Sequence, residues 1–135
     1  MILLVTAENE DGSPLEFVDG PVVPDWGGSG EKEGDYSSMS GKGYARVTAD
    51  DNGTLNVPVW RATRLASANR IKAKETDESL YRCQLPLGDN EDVPFYVTAT
   101  LIYRKDFRDG GATSSSADED IVMQQKTIET GNGGL

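Results

Sequence analysis

An antiparallel β-sandwich, immunoglobulin-like or Greek-key in its connections, is the fold class this sequence predicts. Three observations carry it. Apolar and polar residues alternate in several short runs, the mark of strands with one face covered. The runs are separated by Gly, Pro, Asn and Asp, with 15 glycines and 6 prolines in the chain. Those residues favour turns, and six to seven short strands joined by long Gly-rich loops point to a sandwich.

The first candidate strand, "ILLVTA" (Ile2 to Ala7), is short and almost wholly apolar, as expected of a strand covered on both faces. "LEFVDGPVV" adds a short edge strand ended by Pro21 and Pro24, which cannot donate to a ladder. "YARVTADDNGTLNVPVW" reads as a hairpin: Ala45, Val47 and Ala49 alternate, "DDNG" turns, then Leu55, Val57 and Val59 alternate. "TRLASANRIKAKE" has good helix propensity but poor helical spacing, and an extended segment turning at Ser67 to Asn69 fits equally well. "SLYRCQL" places Tyr81, Cys83 and Leu85 inward. The clearest run is "VPFYVTATLIYR", with Val93, Phe95, Val97, Ala99, Leu101 and Tyr103 on one face and Tyr96, Thr98, Thr100 and Arg104 on the other. "DIVMQQKTI" closes the set, with Ile121 and Met123 inward. Residues 1–130 thus make a single domain, with surface loops at 24–43 and 108–118 and a flexible tail at 131–135.

Composition narrows the chemistry. The 135 residues suffice for one modest core. There is no histidine, so an imidazole base, a Ser-His-Asp triad and His metal ligation are all excluded. A single cysteine forms no internal disulfide and no Cys-rich zinc site. Cys83 is expected to act as a small hydrophobe. No carboxylate pair stands out as catalytic, so the chain reads as a non-enzyme. The net charge of −10 repels a phosphate backbone, which argues against nucleic acid as partner. No stretch approaches the ~18 apolar residues of a membrane span. The opening "MILLV" is too short for a secretory signal core.

Three features offer function. Acidic clusters at "DDNG", "GDNED" and "ADED" supply oxygen ligands of the kind calcium takes, with Asp50, Asp51, Asp89 and Asp92 as candidates. Their ordinary reading is turn chemistry, Asp and Asn bonding their own backbone. Trp26 and Tyr36, in the Gly-rich stretch, would stack on a sugar ring if exposed, making an extracellular carbohydrate-binding or adhesion sandwich; an aromatic folded back over the sheet is the ordinary alternative. The third feature is a basic band. Residues 1–59 hold eleven acids against three bases; then Arg61, Arg64, Arg70, Lys72 and Lys74 arrive within fourteen positions. Either they pair locally with Glu75, Asp77 and Glu78 as a solvated face, or they form a docking patch for an anionic surface.

The order of these elements also resembles a known family. "GKGYARV", "NVPVWRATRLASANRI", "FYVTATLIYRKDF" and "DIVMQQKTI" look like the C-terminal β-sandwich region of bacterial multihaem c-type cytochromes, over roughly residues 2–130. The CxxCH haem-attachment motif is absent, so haem c is expected on a partner and not on this chain. The resemblance implies a structural or docking role in an electron-transfer assembly, discrete or filamentous, in an extracytoplasmic compartment. In that family further strands precede the matching position; if they are missing, an open sheet edge is expected beside Ile2 to Thr6. Ile2 and Leu4, with Arg61, Arg64, Arg70 and Lys72, are then the expected partner contacts, by strand addition and charge pairing. Met39 and Met123 would be conceivable axial ligands for a partner's haem.

Overall fold

A computed structural model describes residues 1–28, 34–55, 57, 60–85, 94–104 and 120–130. The described chain is all β, with eight strands where six to seven were expected. They are β1 (Ile2–Asn9), β2 (Phe17–Asp19), β3 (Gly41–Gly43), β4 (Arg46–Ala49), β5 (Arg64–Ala68), β6 (Arg82–Cys83), β7 (Phe95–Tyr103) and β8 (Ile121–Thr130). One four-stranded sheet runs β3-β1-β7-β8, and β2-β6 and β4-β5 form two-stranded ladders, all antiparallel.

β1 is the central strand because its sequence tolerates cover on both faces. Ile2 and Leu4 point into the main core with Val23, Trp26, Ala45, Val47 and Ile102. On the opposite face Val5 and Ala7 are also buried. Each fully buried aliphatic side chain contributes roughly 1.5–3 kcal/mol. On one side β1 pairs with β7 along its whole length, Ile2 opposite Ile102 and Asn9 opposite Phe95. On the other, Ile2 to Leu4 pair with Gly43 to Gly41. Beyond β3 the Val5 amide donates to the Ser40 carbonyl, and the Leu15 amide donates to the Ala7 carbonyl. The open edge expected beside Ile2 to Thr6 is therefore filled by this chain's own backbone.

The Gly-rich stretch 24–43 was expected as a surface loop, yet much of it is interior. Trp26, Gly27, Gly28, Gly34, Gly41, Gly43 and Tyr44 are all buried. Glycine is required where strand meets core: a Cβ on Gly43 would run into the Trp26 ring, and one on Gly41 into the Leu3 carbonyl oxygen. Arg104, directly after β7, fastens the stretch. Its Nε donates to Asp120 Oδ1 at 2.8 Å and Nη2 to Oδ2 at 2.6 Å. Nη1 donates to the Gly27 carbonyl at 2.9 Å, Nη2 also reaches the Gly34 carbonyl, and the guanidinium lies 5.4 Å from the Tyr36 ring centroid. The side chain is 3% exposed. Arg104 had been assigned to the outer face of its strand.

The expected hairpin is half present. The "DDNG" turn forms, and Ala49 bridges Leu55 across it. The main partner of β4 is β5, Arg46 opposite Ala68 and Ala49 opposite Arg64. "TRLASANRIKAKE" is thus extended, and its turn lies at Lys72 to Glu75, closed by the Glu75 amide on the Lys72 carbonyl. β7 is the long alternating strand foreseen, but its buried residue Ile102 lies on the face opposite Phe95, Val97, Ala99 and Leu101, which are half-buried. Ile121 and Met123, expected inward, are 57% and 53% exposed. The expectations for 108–118 and 131–135 lie outside the described residues.

Candidate functional site

The basic band is where unsatisfied chemistry gathers. From Trp60 to Glu78 every residue except Ala62 is exposed. The band is a ribbon held at a few points: β5 leans on β4, the Asn69 amide donates to the Ala45 carbonyl, and Asn69 Oδ1 accepts from the Ala45 amide at 2.9 Å. Its small residues Ala66, Ser67 and Ala68 supply too little apolar area to bury. Apolar side chains nonetheless stand in solvent along it, Trp60 at 82%, Leu65 at 48%, Ile71 at 40% and Leu80 at 73% exposure.

Of the acids that could neutralise the band, Asp77 is committed elsewhere and Asp50 takes Arg61 alone. Asp77 Oδ2 accepts from Lys42 Nζ and from the Tyr44 hydroxyl, each at 2.6 Å. The Lys42 bond, then the Tyr44 bond, hold the Asp77 carboxyl below the usual carboxylate range. Burial, followed by the bond to Asp77, pushes the Tyr44 phenol up. Asp50 Oδ1 accepts the Asn52 and Thr54 amides, and Oδ2 accepts Arg61 Nη2 at 3.2 Å. Thus Arg61 is tied to its own turn. Arg64, Arg70, Lys72 and Lys74 make no ion pair with Glu75, Asp77 or Glu78 among the described residues. A solvated face of local ion pairs is not what forms; four cations beside four exposed apolar groups suit an acidic, partly apolar protein surface.

The other candidates fare differently. Ile2 and Leu4 are 0% and 8% exposed and face the core, so as partner contacts they are corrected: the chain itself consumes them. Trp26 is 8% exposed within the core, and Tyr36 packs against that core beneath Arg104, so neither offers a ring face to a sugar. The Asp50 carboxylate is used up by its turn and by Arg61, which is the turn chemistry weighed above. Asp51 is exposed, and Asp89 and Asp92 lie outside the described residues. Among the described residues no three Cys, Asp or Glu side chains converge on a metal position. Cys83 is half-buried opposite Phe17. Met39 and Met123 are 42% and 53% exposed.

Sequence reasoning missed the exposed Leu80 as a companion of the cations; its only signal is the polar run Thr76 to Ser79 before it. No helix among the described residues is long and apolar enough to cross a membrane. No protein-family model, curated protein or solved structure matches this chain.

Proposed function

We propose that this chain is a non-catalytic docking module, sandwich-like in architecture, of a multihaem cytochrome electron-transfer assembly. Its basic band meets an acidic surface of that assembly. The observation that carries the docking reading is the set of Arg64, Arg70, Lys72 and Lys74, exposed and without acid partners among the described residues, beside exposed Trp60, Leu65 and Ile71. Aromatic and Arg side chains are enriched at interfaces. The electron-transfer context, the haem-bearing partner and an extracytoplasmic address rest on the sequence resemblance alone. With β1 paired on both sides, docking is assigned to the band and not to strand addition at Ile2. A carbohydrate-binding role loses its two expected aromatics to the core.

The test is purification of the tagged chain from its source. A Soret band that co-migrates with the wild-type chain, and falls about tenfold or more for R64E/R70E, is the expected result; reversal of rim charges weakens association and its salt dependence. A haem-bearing complex equally stable with both arginines reversed would overturn the reading.

A further inference from the structure

We infer that the acidic surface which occupies the basic band belongs to a second copy of this chain, joined head to tail. The inference rests on the docking reading above and names the occupant of the band; the haem-bearing partner is then held by the associated copies, so that reversing Arg64 and Arg70 releases it as well.

Exposed cations and exposed carboxylates without ion pairs gather in two regions of the molecule, although the band also carries Glu75 and Glu78 and Arg82 lies near the acids. The band is anchored at the Ile2 end of β1, because Asn69 donates to the carbonyls of Ala45 and Gly43, and Gly43 pairs with Ile2. At the other end of β1, Glu8 lies opposite Tyr96, which in turn lies opposite Glu129. Glu10, Asp11 and Glu16 follow in the adjoining turn and connection. All five of these carboxylates are exposed, and none makes an ion pair among the described residues. Asp19 is not counted with them, since it stands opposite Arg82. Seven residues of extended chain separate Ile2 from Asn9, roughly 23 Å at about 3.3 Å per residue. Val18, at 62% exposure, adds an apolar contact beside the acids.

Acidic and basic regions at opposite ends of one strand cannot meet within a molecule. Between molecules they are complementary, and the contact is heterologous, one region of each copy meeting the other region of the next. The overall charge of −10 opposes association. At about 0.1 M salt, however, the screening length is about 10 Å, so contact-distance pairs act while distant like charges are damped.

The experiment is sedimentation velocity on the whole chain at about 0.1 M and about 1 M salt, screening lengths of about 10 and 3 Å. The wild type is expected to self-associate beyond a dimer at the lower salt and to become monomeric at the higher. R64E/R70E and E10K/E16K alter exposed side chains only, and each alone is expected to be monomeric. Mixed one to one, they retain one intact basic face and one intact acidic face, and are expected to form a dimer that grows no further. E10K/E16K makes the net charge less negative, so association governed by overall charge would strengthen where this contact is lost. A monomeric wild type, self-association of either variant alone, or a mixture that stays monomeric would overturn the inference. A monomeric wild type that still co-purifies with haem in an Arg64- and Arg70-dependent way would overturn only the choice of occupant and leave the docking reading standing.

Discussion

Replacement of Arg104 by alanine is expected to be strongly destabilising, although the sequence alone set this residue on the outer face of its strand. The guanidinium is 3% exposed and the Asp120 side chain 11%. Arg104→Ala leaves a nearly buried carboxylate without its cation, and strips the Gly27 and Gly34 carbonyls of a donor. Removing one partner of a buried pair costs about 3–5 kcal/mol, because the survivor keeps its desolvation penalty. The Gly27 carbonyl keeps the Tyr36 amide as donor; the orphaned Gly34 carbonyl would add about 1–3 kcal/mol if it stayed dry, and water entering the opened space offsets that part, so about 3–5 kcal/mol is the working figure. Against a total of about 5–15 kcal/mol, this is about a fifth of the stability or more. The assay is urea unfolding followed by far-ultraviolet circular dichroism, with Arg104→Ala, Asp120→Ala and the double variant in a cycle. The double variant is expected to lose less than the two single variants together, since it removes both charges. A loss below about 1 kcal/mol for Arg104→Ala would refute the reasoning, because a buried, bidentate pair cannot then be what fastens the Gly-rich stretch.

Two further outcomes follow from the same geometry. Gly43→Ala drives a methyl group into the Trp26 ring and toward Pro24 Cδ, and is expected to cost about 1–3 kcal/mol as overpacking; Gly53→Ala, where nothing lies within 4 Å, costs only its positive-φ backbone, about 1 kcal/mol, and equal losses in urea for the two would contradict the packing. Stability should also fall in acid: Asp77, held low by Lys42 and then Tyr44, and Asp50, held low first by the Thr54 amide, both titrate below their unfolded value of about 3.9. Their contribution is complete above that value and is lost as pH drops through the folded values; a D50N/D77N chain whose melting temperature declines in acid as steeply as the wild type would exclude these two groups as the cause.

Strand periodicity was legible in the three longest strands. Ile2 to Ala7, Phe95 to Tyr103 and Ile121 to Ile128 all form the β structure their alternation implies. Period two fixes which residues share a face; it does not say which face finds a partner. The run Phe95, Val97, Ala99 and Leu101 is the most apolar in β7, yet the core cluster forms across it, because Ile102 meets Ile2 and Leu4 together with Trp26 from the Gly-rich stretch. That stretch was misread for a related reason. Six glycines in twenty residues look like slack, but glycine also lets backbone approach a tryptophan ring or a neighbouring carbonyl, and at Gly41 and Gly43 it does so. Arg104 was unreadable because its partners, a pair of glycine carbonyls and Asp120, carry no pattern along the chain. The basic band was legible as charge segregation; that its nearby acid Asp77 is spent on Lys42 and Tyr44 was not, since those residues lie more than thirty positions away.

Exposure by itself does not select a docking surface here, and the comparison of β5 with β8 shows why charge must decide. β8 is the outer strand of the four-stranded sheet among the described residues, ten residues long, with Ile121, Val122, Met123 and Ile128 more than half exposed. By apolar area it outranks β5. Yet it carries two features that discourage strand pairing. The register shift between Leu101 and Ile102 leaves Met123 as an unpaired extra residue, which twists the margin, and Lys126 projects from the middle of the strand. A cation among glutamines and threonines deters any flat partner and selects none. The band around β5 differs in kind: four cations within eleven positions, Arg64 to Lys74, fix the sign of what can approach, while Trp60, Leu65 and Ile71 supply area that only contact would bury. A surface that specifies the charge of its partner is the one to test first.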